Sequence, residues 1–249
     1  MRLVPAGIVV VLLALWELAV FAGFVDALLF PPPSRILESA GELLANGVLT
    51  AHIAATELRV GAGVVIGAGL GMFLGIAMGS SPRLRSVVDP LIGALHPVPK
   101  IAILPLIMVV FGIGDVSLII VIATGAFFPM VINTMTGVHQ INPNYLDLAR
   151  LHGVGGWRKM KRIIIPAAGP SLMAGLRLSL NTTLLITVAV EMIAARTGLG
   201  AMIWLSWSTL RTEHIYVAIA VTVAFGLAVN GVLSWVTKRA LPWYHGTLQ

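Results

Sequence analysis

The chain contains no cysteine, which excludes disulfides and thiolate metal sites and leaves the redox compartment unread. Charge is scarce as well. Asp, Glu, Lys and Arg make up 10% of the 249 residues, where soluble domains run near a quarter. No G-x-x-x-x-G-K-[ST] element occurs, so the usual backbone cradle for nucleotide phosphates is missing. No Ser/His/Asp set or carboxylate pair argues for an enzyme. His52, His96, His139, His152, His214 and His245 are scattered without the spacing of a metal site. What remains is apolar: 58% of the residues are hydrophobic and the mean hydropathy is +0.97. This composition describes an all-α integral membrane protein. The net charge of +6 fits loops on one side of a membrane better than nucleic-acid binding.

A spanning helix needs about 20 apolar residues. The sequence predicts six spans, roughly 5–24, 55–79, 90–111, 116–136, 168–193 and 215–237, within a single transmembrane domain over 1–249. The first run is long for a signal peptide, contains Glu17 and lacks an Ala-x-Ala site, so a retained span is expected. Pro31-Pro32-Pro33-Ser34 breaks the chain after it. Ser34 then suits the N-cap of a short helix over 35–46, with Ile36, Leu37, Leu43 and Leu44 on an apolar side. Pro97-Val98-Pro99 must interrupt the third span or line a cavity.

Lys and Arg counts orient the chain. With the N-terminus inside, eleven cations fall on the inner side: Arg2, Arg83, Arg85, Arg150, Arg158, Lys159, Lys161, Arg162, Arg177, Lys238 and Arg239. Four fall outside: Arg35, Arg59, Arg196 and Arg211. Both termini and the 137–167 loop are therefore expected in the cytoplasm. In the second span Gly63, Gly67, Gly71, Gly75 and Gly79 recur every four residues. They form a smooth ridge against which another helix packs closely. The partner is either a helix of the same chain or a second copy.

The loop is the most organised feature. Asn142 suits an N-cap, Pro143 the first helical turn, and Gly153 a C′ position with positive φ. The helix between them is about 15 Å long at 1.5 Å per residue, too short to span. Leu146, Ala149 and Arg150 share one face and Leu148 and Leu151 a neighbouring stripe; small Ala149 would permit close approach by a partner. Next comes Trp157-Arg158-Lys159-Met160-Lys161-Arg162, a basic turn suited to headgroups. An anchoring interfacial helix is the plainer reading of this loop.

Charges at membrane depth are costly and call for reasons. Glu191 reads either as a gate or a partner to a basic residue near the outer mouth, or as a structural pair or a Glu protonated by burial. Lys100, after the Pro97–Pro99 break, either meets an anionic solute or snorkels to headgroups. Asp89 either pairs with Arg177 or caps the third span before Pro90. Phe127-Phe128-Pro129 reads as helix packing or as a constriction. Pro99, Lys100, Thr124, Phe127, Thr187 and Glu191 are the candidate path residues.

The spacing Asp147-Leu148-Ala149-x3-Gly153-x9-Ile163-x-Ile165-Pro166 resembles the EAA loop of bacterial ATP-binding-cassette importer permeases, Glu-Ala-Ala-x3-Gly-x9-Ile-x-Leu-Pro. Asp147-Leu148 and Ile165 depart from that pattern. Leu29–Ser34, Pro97–Leu106, Phe111–Gly114, Gly175–Arg177, Glu191–Ala195, Gly198–Gly200 and the ending Pro242–Gly246 resemble the nitrate/sulfonate/taurine branch. The resemblance implies a type I importer permease fold in the inner membrane. It also implies a homodimeric pore, alternating access, and a taurine-, sulfonate- or nitrate-like solute brought by a periplasmic or lipid-anchored binding protein. No cofactor is expected on this chain; ATP and Mg belong to a separate ATPase. Tyr145, Leu146, Asp147, Leu148, Ala149, Arg150, Leu151 and Gly153 become the expected ATPase-coupling residues. An ion-coupled secondary transporter with Glu191 as relay is the alternative.

Overall fold

A computed structural model describes residues 3–243, and every regular element among them is helical. In chain order these are α1 Leu3–Phe21, α2 Pro33–Ala45, α3 Val48–Ser80, α4 Pro82–Leu95, α5 Leu104–Phe111 and α6 Asp115–His139. Then come α7 Pro143–Leu151, α8 Gly156–Lys159, α9 Ile165–Ala194, α10 Leu199–Ser208 and α11 Thr212–Ala240. A 3₁₀ turn over Lys100–Ile103 leads into α5, and a π turn over Met160–Ile164 joins α8 to α9. Tyr244, His245 and Gly246 of the expected tail motif, and Arg2, lie outside the described residues.

Among the described residues, four helical runs are long and apolar enough to cross a membrane: Val48–Ser80, Asp115–His139, Gly156–Ala194 and Thr212–Ala240. The expected third span, 90–111, is not one straight rod. α4 stops at Leu95, the chain breaks at Pro97-Val98-Pro99, and the helical path resumes at Lys100 with a bend of 89°. Proline at two of these positions removes backbone donors and clashes with a continuing helix. The apolar part of the first expected span, Gly7–Phe21, is shorter than a full crossing.

Contacts divide the chain into two compact units. One comprises residues up to Glu57 together with Glu191–Phe225, and the other Leu58–Val190 together with the residues from Gly226 onward.

The larger unit is built around α6. The glycine ridge of α3 lies flat against it: a Cβ on Gly67 would fall onto the Ala123 carbonyl oxygen, and one on Gly71 would stand 2.6 Å from that of Phe127. Gly63, Gly75 and Gly79 are filled in the same way by Ile122, Thr134 and Val138. The alternative of a seam between two copies is therefore overturned for these positions, because the ridge is already occupied within the chain. α9 covers another side of α6. Ser179 donates to the Ala126 carbonyl at 2.8 Å, and Gly137 leaves room for Ser171.

Two capping expectations are corrected. Asp89 neither caps a helix nor pairs with Arg177. It sits inside α4, whose N-cap is Ser81, accepting from Leu84 N–H at 3.3 Å. Asp89 lies 4.0 Å from Arg85 instead, while Arg177 donates to Ser234 at 3.0 Å.

In the smaller unit Leu43 of α2, Leu49 of α3, Leu199 and Met202 of α10, and Val217 and Ala218 of α11 form one buried cluster. Ser34 is not the N-cap of α2; Pro32 is, and α2 begins at Pro33. The N–H and hydroxyl of Ser34 donate to Glu17 at 3.1 and 2.7 Å. Glu17 thus ties the end of α1 to the start of α2. Leu37 and Leu44 point away from the cluster and are exposed.

Candidate functional site

The short helix α7 is built as its sequence directs. Asn142 Oδ1 accepts from the Asn144 N–H at 3.0 Å and Pro143 begins the first turn. At the other end Gly153 has φ +64°, and Val154 N–H closes onto the Ala149 carbonyl at 2.8 Å. A side chain with Cβ strongly disfavours that φ.

The faces of α7 divide sharply. Ala149 is 3% exposed and Leu146 is half-buried against a cluster containing Val138, Ile141, Ile164 and Ala168. The close approach that Ala149 permits is thus made to this chain, not to a partner, which corrects the expectation. Tyr145, Leu148 and Leu151 are exposed, Leu151 at 81%. At positions 145, 148 and 151 they line one side of a three-turn helix. Asp147 and Gly153 are exposed too; the side chain of Arg150 lies outside the described set. Three apolar residues held out by a helix that is itself locked by its opposite face form a rigid projecting surface.

The candidate path residues each have their own contacts. Lys100 Nζ donates to the carbonyls of Leu95, His96 and Val98 at 3.2, 2.6 and 2.8 Å. It also stands 4.3 Å from the Phe128 ring centroid. These carbonyls belong to the end of α4 and the break after it, so the cation satisfies acceptors that the broken helix leaves open. Pro99 is exposed at the start of the 3₁₀ turn. Phe127 is half-buried, edge-on to Phe128 at 5.2 Å. Thr124 donates to the Val121 carbonyl at 2.7 Å and Thr187, fully buried, to that of Thr183 at 2.8 Å.

Glu191 is 0% exposed. Its carboxylate accepts from Thr56 Oγ1 at 2.9 Å and from the Gly200 N–H at 3.0 Å. Thr56 Oγ1 in turn accepts from Leu199 N–H at 2.8 Å, and Gly198 N–H donates to His52 Nδ1 at 3.0 Å. Three successive donors at the start of α10 are thereby captured by Glu191, Thr56 and His52. Gly198 has φ +122°, and a Cβ there would collide with the Glu191 carboxyl group. Glu191 is a brace for this corner. His52 and Thr56 went unread in the sequence. Their i, i+4 spacing on an apolar helix was the available signal, but the donors they serve lie about 145 residues away.

Another acid–base pair lies in the larger unit. Arg59, nearly buried, donates to Asp115 Oδ1 at 2.7 Å, and Ser117 donates to the Gly112 carbonyl. The Gly112–Asp115 turn at the start of α6 is thereby fastened to α3.

Long apolar helices, a proline-broken span and a locked but projecting short helix describe a multi-pass membrane protein. The chain belongs to the family described as binding-protein-dependent transport system inner membrane component, whose model matches residues 67–242. It is 32% identical over 94% of its length, and 84% of the relative's, to SsuC of Bacillus subtilis (strain 168), a permease protein assigned to aliphatic sulfonates transport. Over 98% of its length and 90% of the relative's it is 32% identical to TauC, the taurine transport system permease protein of Escherichia coli (strain K12). It is 28% identical over 96% of its length, and 89% of the relative's, to NrtB, the nitrate import permease protein of Synechocystis sp. (strain PCC 6803). Among solved structures, an inward-facing MetNI methionine ABC transporter chain shares the fold. The TM-score is 0.64 at 19% identity, covering 80% of this chain and 96% of that one.

The chain is thus a bacterial inner-membrane permease subunit of an ATP-binding-cassette importer, with ATP hydrolysed on a separate subunit. The secondary-transporter alternative finds no support, and the contacts of Glu191 account for it without a relay.

Proposed function

We propose that this permease couples to its ATPase through α7, and that two copies form a pore for a small anionic solute of the taurine, sulfonate or nitrate kind. In this reading the chain crosses six times with both termini and the 137–167 loop in the cytoplasm, which the eleven-to-four cation bias supports. Tyr145, Leu148 and Leu151 seat in a groove of the ATPase. Leu146 and Ala149 hold the helix to the permease, so that displacement of the knob is passed to α6 and α9. ATP and Mg bind between the ATPase subunits, and a periplasmic or lipid-anchored binding protein delivers the solute. The solute class rests on the relatives. Lys100 and Glu191 support it little, since each is engaged by backbone groups.

The observation that carries this reading is the division of α7, with an apolar face exposed and its opposite face locked into the chain. Gly153→Val tests it. The φ of +64° at that position is strongly unfavourable for a β-branched residue, at a cost of about 1–3 kcal/mol. Co-purification of the ATPase is expected to fall while membrane insertion stays normal. Full co-purification together with full uptake would remove α7 from the coupling path.

A further inference from the structure

Between Asp147 and Glu191 the chain has no acidic residue, yet it carries Arg150, Arg158, Lys159, Lys161, Arg162 and Arg177. Four of these cations are packed into five positions, 158–162; Arg158, Lys161 and Arg162 are exposed and Lys159 is half-buried. Trp157 immediately before them is 75% exposed. Immediately after Arg162 come Ile163-Ile164-Ile165 and the apolar part of the helical run Gly156–Ala194. That run is roughly 58 Å long at 1.5 Å per residue, against about 30 Å of hydrocarbon, so its charged start overhangs the apolar layer. Cations one residue from such a run, with an exposed indole beside them, lie at headgroup depth.

The same turn has an inner face. Met160 and Ile164, the first and last residues of the π turn, pack in the cluster that also holds Leu146 of α7. Lys161 and Arg162 lie between them in sequence and face outward.

We propose that Trp157, Arg158, Lys159, Lys161 and Arg162 form a docking face for anionic phospholipid headgroups, and that its occupancy steadies α7 through Met160 and Ile164. The face is positive without a neighbouring acid in the sequence, and the partner it matches is a sheet of negative charge such as a phosphatidylglycerol-rich leaflet. This inference rests on the coupling role of α7 and on the cytoplasmic placement of the loop. It adds a dependence of that coupling on lipid charge.

The test reconstitutes the permease with its ATPase in phosphatidylcholine vesicles with and without phosphatidylglycerol, and reads ATP hydrolysis at low and high salt. Hydrolysis is expected to be about threefold higher or more with phosphatidylglycerol, a gain in line with several cations each attracted to an anionic surface. High salt should shrink the gain by screening. R158Q/K159Q/K161Q/R162Q should abolish the gain, the charge-conserving R158K/K159R/K161R/R162K should keep it, and Arg83→Gln on another loop should leave it intact. Equal hydrolysis by the wild type in both lipids, or a gain that survives in the glutamine variant, overturns the proposal. So does loss of the ATPase from that variant already in detergent, which would assign these cations to a protein interface. Should the glutamine variant fail to accumulate, the wild-type lipid and salt series decides alone. A wild-type permease that holds no ATPase in any lipid or detergent would instead bring down the coupling role of α7, and this proposal with it.

Discussion

The corner at Glu191 and the break at Lys100 solve one problem with opposite charges. At the first, a helix begins inside the protein and its leading N–H groups need acceptors; Glu191, Thr56 and His52 supply them. At the second, a helix ends at a proline pair and its last carbonyls need donors; Lys100 supplies three bonds from one ammonium. Helix ends leave such groups unpaired by construction, and the field of the helix favours an anion at its start and a cation at its end. The difference is depth. Glu191 is fully enclosed and surrounded by fixed donors, whereas Lys100 is only half-buried, beside Phe128. The first charge is committed to structure. The second spends its three donors on carbonyls at a half-buried break.

Four substitutions sharpen that contrast. Gly198→Val should be the most damaging, because it adds a Cβ into the Glu191 carboxyl at a backbone φ of +122°. A loss of about 3–5 kcal/mol, from strain and from a displaced buried charge, should appear as loss of folded protein in detergent. Glu191→Ala should cost about 2–4 kcal/mol, since it leaves the Thr56 hydroxyl and the Gly200 N–H short of an acceptor in a buried place. Thermal unfolding of the purified complex would register it. If uptake vanished at unchanged thermal stability, Glu191 would be a path residue after all and the contrast would fail. Lys100→Met keeps the stem and removes three donors, for an expected loss of about 1–2 kcal/mol. A raised KM for solute without loss of stability would instead show that Lys100 meets the solute. Thr187→Val should change least, about 0.5 kcal/mol or less, because its hydroxyl bonds a carbonyl of its own helix at Thr183; a large effect on uptake would restore it to the path.

Much of the architecture was legible because the membrane enforces simple rules. Apolar run length located α3, α6, α9 and α11 to within several residues, and the charge-poor composition excluded a soluble fold. The loop was readable for a local reason. Asn142, Pro143 and Gly153 each act on their own backbone, so no distant contact was needed to place α7. The direction in which Ala149 faces was not readable, because the helix carries two apolar stripes and only the packing of Leu146 on the cluster with Ile141 and Ile164 decides between them. The same holds for α10. Leu199–Ser208 is too short to announce itself, and its cap is assembled from residues of two other helices, α3 and α9. Glu191 drew attention as a costly charge, but its donors at Thr56 and Gly200 appear only when the chain is folded.

The five glycines of α3 carry a mechanical implication. Along residues 63–79 the missing Cβ atoms let α6 seat its Ala123 and Phe127 carbonyls and its Ile122, Thr134 and Val138 side chains directly on the α3 backbone, so those two stretches travel as one plank. Any rearrangement in a pumping cycle must be taken up elsewhere, and the elbow at Pro97–Pro99 is the natural joint to bear it.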